Sequence, residues 1–445
     1  MKLLFGVWGN YKGWSKVTYV YNNCNNEAKT TLPLLLKSIS PDKCFIIISD
    51  TLIENVIGNL TDNDYENYIK EIKNSTYQFI AESGVSDKEK SICEISILPG
   101  IGTFNKTKFI GNPSNFYSIL YYELVNRLID IISNNNEGDN FEFYLDITHG
   151  INYMTMLTYR ALKEISQILA FFYNVKFIVL NSDPKVGSES NKLYINNIED
   201  INVIPQLATY SYNDTNLVRP LKSIPDEAKK EIGEKAPRIS KEIFDDIYSF
   251  LGAFLNALPV FMYVFFPKIE KIDKINEGAK KVYEYFYNKI NIKKEEGKLI
   301  ITQNVDLASL YITILQSQLL IFLLERKYNL QNTNTICLSD IHNIYNLFKF
   351  SRTLQMRLEK EVKKIEENEG RLSDEFKDYG LILYEDDYDL SKNTDIDERN
   401  FFAHCGFGYN VIQIKKEENK IILKIKESFI KKIRSLIKRN MPQGA

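Results

Sequence analysis

From Met1 to about Ile204, short β-branched or apolar runs alternate with longer amphipathic stretches, the pattern of a parallel α/β sheet. The expected strands are Lys2 to Val7, Cys44 to Ser49, Ile92 to Leu98, Glu142 to Ile147 and Val175 to Leu180, with Lys192 to Ile195 as an edge strand. Between them apolar residues recur at three- and four-residue spacing over Asp64 to Ile80, Ser114 to Ser133 and Asn152 to Phe172, which predicts helices. In open sheets of this kind ligands bind beyond the carboxyl ends of the strands, so the loops there are the places to search.

The periodicity lapses between Pro205 and Pro237, where prolines recur among charged residues, and residues 205–238 read as a linker between a domain at 1–204 and another at 239–445. From Ile239 onward the pattern is almost wholly helical, with long helices expected at Ser240 to Phe266, Glu277 to Lys289, Asp306 to Lys327 and Ser339 to Glu367. Ile290 to Thr302 reads as a small hairpin inserted among them. Val411 to Ile425 reads as a second hairpin before a last basic helix. The fold class is therefore α/β plus all-α: a Rossmann-like parallel sheet followed by a helical domain carrying a small β-hairpin.

A chain of 445 residues exceeds what one hydrophobic core usually supports, which agrees with two domains. At 44% hydrophobic and 26% charged residues it has an ordinary globular composition, so disorder and fibrous classes are excluded. The five cysteines lack C-x-x-C spacing, which suggests neither a zinc site nor a disulfide framework and fits a reducing cytoplasm. The most apolar stretch, Phe250 to Phe266, contains Asn256 and Pro259 and reads as a buried helix rather than a membrane span. A formal net charge of −2 gives no global basic field, so any nucleic-acid binding has to be local. The Lys- and Glu-rich stretches Glu359 to Glu369 and Ile414 to Lys426 read as solvated faces.

Only three histidines occur, which makes their contexts informative. His404 stands in Asp395-Ile-Asp-Glu-Arg-Asn-Phe-Phe-Ala-His-Cys-Gly406, where Asp395 as N-cap and Glu398 form a capping box and Gly406 is a natural stop. On the resulting helix from about Ile396 to Cys405, Asn400 and His404 share a face, while Arg399 points away from the histidine. Cleaving RNA without a metal requires a group to take the 2′-hydroxyl proton, one to protonate the leaving oxygen, and positive charge near the phosphorus. Histidine suits the first two and arginine the third. The plain alternative is a partly buried helical histidine beside two phenylalanines. His342, in Ser339-Asp-Ile-His-Asn, has no arginine at matching distance and reads as structural.

In the first domain, strand four runs into Leu145-Asp-Ile-Thr-His-Gly150 and a helix beginning at Asn152. Thr148 is expected to cap that helix, and Gly150 to let a ligand approach the backbone beside His149. The helix start then offers N–H groups and a positive dipole end to a phosphate. The plain alternative is a turn that only ties strand to helix. The other strand-end loops contribute Gly9 and Trp14, then Asp50 and Thr51, then Gly102 and Thr103 beside Gly100. None matches a dinucleotide fingerprint or a Walker A loop, which disfavours bound NAD and ordinary NTP hydrolysis.

The stretch Arg399-Asn-Phe-Phe-Ala-His404 resembles the R-N-x-x-x-H signature of HEPN ribonucleases, helical domains that dimerise and pool two Arg and two His into one site. The phrase Asp146-x-Thr148-His149-Gly150-x-Asn152 is similar to the strand-four motif of CARF domains, Rossmann folds that sense cyclic oligoadenylates. Together they resemble the CARF–HEPN ancillary ribonucleases of type III CRISPR systems, the Csx/Csm group. That resemblance implies a cytoplasmic homodimer, or a higher even-numbered oligomer, cutting single-stranded RNA with Arg399, Asn400 and His404 and no metal or cofactor. Its activator would be a cyclic oligoadenylate, cyclic tetra-adenylate being favoured, whose two-fold axis matches an isologous dimer interface. A non-enzymatic nucleotide-responsive regulator, or a CARF domain that itself cleaves the cyclic signal, are the other readings.

Overall fold

The computed structural model describes residues 1–52, 65–104, 107–134, 138–185, 192–208, 221–223, 240–295, 298–384 and 395–441. The chain forms two compact units: residues 1–205, 219–237 and 279–315 in the first, and 206–218, 238–278 and 316–445 in the second. The division falls inside two helices, Ile269–Asn288 and Ser309–Tyr328.

In the first unit the chain runs β1 (Lys2–Trp8), β2 (Val17–Tyr21), β3 (Cys24–Ala28), α1 (Leu32–Ile39), β4 (Lys43–Ser49), α2 (Tyr65–Glu82) and α3 (Asp87–Lys90). It continues with β5 (Cys93–Leu98), β6 (Gly102–Phe104), β7 (Thr107–Ile110), α4 (Pro113–Asn134), β8 (Asn140–Asp146), α5 (Asn152–Leu169), β9 (Asn174–Ser182) and β10 (Lys192–Asn202). Eight strands form one sheet in the order β3-β2-β10-β9-β8-β1-β4-β5. The five strands from β9 to β5 are mutually parallel and nearly continuous in apolar residues, as a sheet covered on both faces requires. Phe5 of β1 stacks between Phe45 and Phe143 of its neighbours at the centre of that core.

The parallel sheet is thus present as expected, with two differences. Lys192 to Ile195 is no edge: β10 is eleven residues long, antiparallel to β9, and carries the β2–β3 hairpin on its other side. Residues 279–315, read as part of the helical domain, fold with the first unit. Their hairpin Ile290–Glu295 and Lys298–Gln303 joins β6–β7 in a four-stranded sheet, Lys298–Gln303 lying parallel to β7. The Gln303 amide locks it in place, donating to the Gly100 carbonyl at 3.0 Å and accepting from the Asn115 amide at 2.8 Å. Most of the expected linker, residues 209–220 and 224–238, lies outside the described residues.

The second unit is helical, with a small sheet in the order Thr335–Cys337, Lys420–Ile425, Ile412–Glu417 and Lys377–Asp378. The single helix expected from Ser240 to Phe266 is two, Lys241–Leu255 and Pro259–Phe265. Pro259 has no N–H to continue the first helix, and Ala257 turns at φ +51° to start the second. Ser339 to Glu367 is likewise broken, into Leu338–Ile344, a 3-10 turn and Arg352–Glu367. Among the described residues no helix is long and apolar enough to cross a membrane.

Candidate functional site

The loops leaving β1 and β8 meet at His149. The Gly9 N–H donates to the His149 carbonyl at 2.8 Å, an approach so close that a Cβ on Gly9 would stand 3.2 Å from that oxygen. Trp14 stacks on the imidazole with ring centroids 3.9 Å apart, and the Tyr19 hydroxyl is 3.4 Å from Nε2. Burial pulls the His149 pKa below its ordinary value, against the opposing pull of the Asp146 carboxylate, so the ring is held towards its neutral form.

The loops leaving β4 and β5 meet at Asp50. Its buried carboxylate accepts from the Gly100 N–H at 2.7 Å and from the Tyr65 hydroxyl at 2.8 Å. Burial outweighs these bonds and pushes its pKa up to about 6. Gly100 is obligatory there: a Cβ would lie 2.1 Å from Ser49 Oγ and 2.5 Å from Thr51 Cγ2. Tyr153, in the first turn of α5, accepts from the Ile101 N–H at 3.2 Å and so ties the helix after β8 to the loop after β5. The carboxyl ends of the four neighbouring strands β8, β1, β4 and β5 therefore share one rim.

The second constellation lies on the helix Glu398–Ala403. Phe401 anchors it against Phe261 with centroids 5.2 Å apart, and Gly406 turns away at φ +82° where a Cβ would strike the Phe261 ring. Glu398 is drawn to Arg439 and Asn440, while Arg399 and Asn400 are exposed. His404 closes the helix, its N–H donating to the Asn400 carbonyl at 3.0 Å. Its Nδ1 is 2.9 Å from Oε1 of Glu361, a carboxylate only 3% exposed that also takes the Lys364 ammonium at 2.8 Å. Among the described residues no hydrogen bond or ion pair joins Arg399 to His404.

Comparison with known proteins places both constellations. Residues 3–184 match the family described as CRISPR system endoribonuclease Csx1, CARF domain, and residues 351–427 match its HEPN domain. The chain carries a CARF domain and a HEPN domain of the Csx1 type. A curated relative, the CRISPR system endoribonuclease Csx1 of Methanocaldococcus jannaschii, is 37% identical over 286 residues, which is 61% of this chain. The match spans 57% of that relative's own length. The Asp146 to Asn152 motif falls in the CARF match and the Arg399 to His404 motif in the HEPN match.

Of the expected CARF residues, Gly9, Trp14, His149 and Gly150 gather at one part of the rim and Asp50 and Thr51 at the other. Gly102 and Thr103 are exposed on β6, in the smaller sheet. Thr148 does not cap α5. Its Oγ1 accepts from the Ser182 N–H at 3.0 Å, a turn from Ile147 to Gly150 intervenes, and Ile151 is the N-cap without a side-chain bond. Gly150 is required for packing, since a Cβ would lie 2.1 Å from Thr155 Oγ1. Asn152 is the first residue of α5.

In the HEPN domain the cap is Asp397, not Asp395: its carboxylate accepts from the Asn400 N–H at 2.9 Å, and the helix starts at Glu398 rather than Ile396. The Asp395 carboxylate instead pairs with Lys432. Glu361 was hidden to sequence reading inside the charged stretch from Glu359 to Glu369, which is not uniformly solvated. The signal was there in register: Glu361 shares the face of Leu358, Val362 and Ile365, all buried. Tyr19 and Tyr153 carried no local signal. Among the described residues no cluster of His, Cys, Asp and Glu could hold a metal ion.

Proposed function

We propose that this chain is an endoribonuclease of CRISPR antiviral defence that cuts single-stranded RNA without a metal and is activated by a cyclic oligoadenylate, cyclic tetra-adenylate being favoured. The observation that carries the reading is the Arg399-Asn-Phe-Phe-Ala-His404 motif within the HEPN match, exposed at Arg399 and Asn400, with the Nδ1 of His404 facing the Glu361 carboxylate. Nδ1 faces a carboxylate, so Nε2 is the nitrogen left to move a proton. It takes the proton of the 2′-hydroxyl as that oxygen bonds to phosphorus; the bond to the 5′-oxygen breaks, and the leaving oxygen takes a proton from a second copy of His404. The products are a 2′,3′-cyclic phosphate and a free 5′-hydroxyl. Arg399 of each copy offsets the charge on the phosphorane.

Pooling two copies answers the separation of Arg399 from His404 within one chain, which makes a homodimer, or a higher even-numbered oligomer, the working state. The CARF rim supplies the sensor: backbone N–H groups and aromatic faces at Trp14, Tyr19 and His149 suit adenines and phosphates. Gly9, Asp50, Thr51, Thr148, Gly150 and Asn152 belong to the same rim, and Gly102 and Thr103 extend it. Activation is then a coupling free energy, in which the ring favours one arrangement of paired CARF domains and thereby of paired HEPN domains; a tenfold effect needs about 1.4 kcal/mol. The purified protein is incubated with labelled RNA in EDTA, alone and with cyclic oligoadenylates of different ring size. Cleavage in EDTA that rises with one ring size supports the reading; strict dependence on magnesium, or indifference to every ring, refutes the corresponding part.

A further inference from the structure

We propose that Glu361 is a positioning residue for His404, holding the imidazole as the tautomer with its proton on Nδ1. The inference rests on the reading of His404 as the proton-transfer residue. Glu361 sits in the middle of the helix Arg352–Glu367, on the stripe formed by Leu358, Val362 and Ile365, which are 0%, 5% and 1% exposed. An apolar side chain would pack there at no desolvation cost, whereas a buried carboxylate is costly unless paired. Its pairing is incomplete. Oε1 takes both the His404 Nδ1 at 2.9 Å and the Lys364 Nζ at 2.8 Å, while Oε2 is buried and, among the described residues, has no hydrogen-bond partner. A local packing rule broken at one position, with the gain directed at a histidine 43 residues away, marks a functional constraint.

An ionised carboxylate only accepts, so the hydrogen on Nδ1 is fixed and Nε2 keeps its lone pair directed away from Glu361. When Nε2 takes a proton, the same carboxylate stabilises the imidazolium that forms. Glu361 touches no reacting atom. Its effect is on the turnover step, not on RNA affinity.

The test uses the full chain labelled with 15N at histidine, the His404 signals being identified by their loss in His404→Ala. The two-bond 1H–15N spectrum of the wild type is expected to show the Nδ1–H tautomer at His404. RNA cleavage with saturating cyclic tetra-adenylate is then compared for Glu361→Gln, which keeps an acceptor oxygen without charge, and Glu361→Leu, which keeps neither. The expected kcat falls about tenfold for the first and about 100-fold for the second, with KM unchanged in both. An Nε2–H tautomer in the wild type overturns the proposal without reference to any variant's folding. So does a Glu361→Leu protein with wild-type kcat while His404→Ala is inactive. A fully active His404→Ala protein refutes instead the underlying assignment of His404.

Discussion

Trp14 and His149 lie ring on ring, their centroids 3.9 Å apart and their planes 23° from parallel. One residue follows β1 and the other follows β8, so the stack ties together the two loops at the centre of the CARF rim. If the pair acts as one surface for an adenine, Trp14→Ala and His149→Ala should each raise the cyclic oligoadenylate concentration for half-maximal RNA cleavage about tenfold. The double variant should be little worse than either. Strictly additive losses would show that the two rings act separately.

Asp50 supplies a pH signature. Its pKa is about 6 in the fold against 3.8 without it, so the folded protein binds the proton more tightly between those values. Stability from this group is therefore present below pH 4 and lost as pH rises through 6. Asp50→Asn, which keeps an oxygen for the Gly100 N–H, should gain stability relative to wild type on going from pH 4 to 7.5, by roughly 2 kcal/mol. Denaturant melts at the two pH values measure it; a gap independent of pH would show that Asp50 does not titrate in this range.

His149 has the opposite sign. Its pKa is lowered by burial, so the unfolded chain binds the proton better and stability falls as pH drops through the ordinary imidazole value of about 6.5. Replacing His149 with Gln should flatten the stability curve between pH 7 and 5.5 relative to wild type, as read by thermal melting. An unchanged slope would mean that the imidazole is not desolvated.

Gly100 and Gly13 make a matched pair. A Cβ at Gly100 would lie 2.1 Å from Ser49 Oγ, whereas one at Gly13 would meet nothing within 4 Å. Gly100→Ala should cost about 1–3 kcal/mol and weaken activation, while Gly13→Ala leaves both unchanged. Equal stability of the two variants in chemical unfolding would contradict the tight turn at Gly100.

The cap of the HEPN motif helix can be read the same way. Asp397→Ala removes the bond to the Asn400 N–H and should cost about 1 kcal/mol, with lower cleavage because Arg399 and His404 flank that turn. Asp395→Ala removes a surface pair with Lys432 and an exposed bond from the Ile396 N–H, and should change stability by less than about 0.5 kcal/mol. Unfolding midpoints and cleavage rates in which Asp395→Ala is the worse of the two would return the cap to Asp395.

Much of this protein was legible along the chain because the relevant signals are local. Short continuous apolar runs giving way to a period of 3.6 mark buried strands and helices wherever they sit, and so revealed the parallel sheet and the helical half. The Asp146 to Asn152 and Arg399 to His404 phrases are each shorter than ten residues, and their order is itself the signal. What the tertiary structure decided depends on pairings between distant residues. That Lys298–Gln303 lies beside β7, that Lys192–Asn202 is interior, and that Gln303 reaches Gly100 are choices among strands whose patterns are equivalent. Glu361 shows the physical reason most plainly. In sequence it is one acid in a charged helix, and only the packing of that helix buries it against His404 and turns an ordinary surface residue into a constraint on an imidazole.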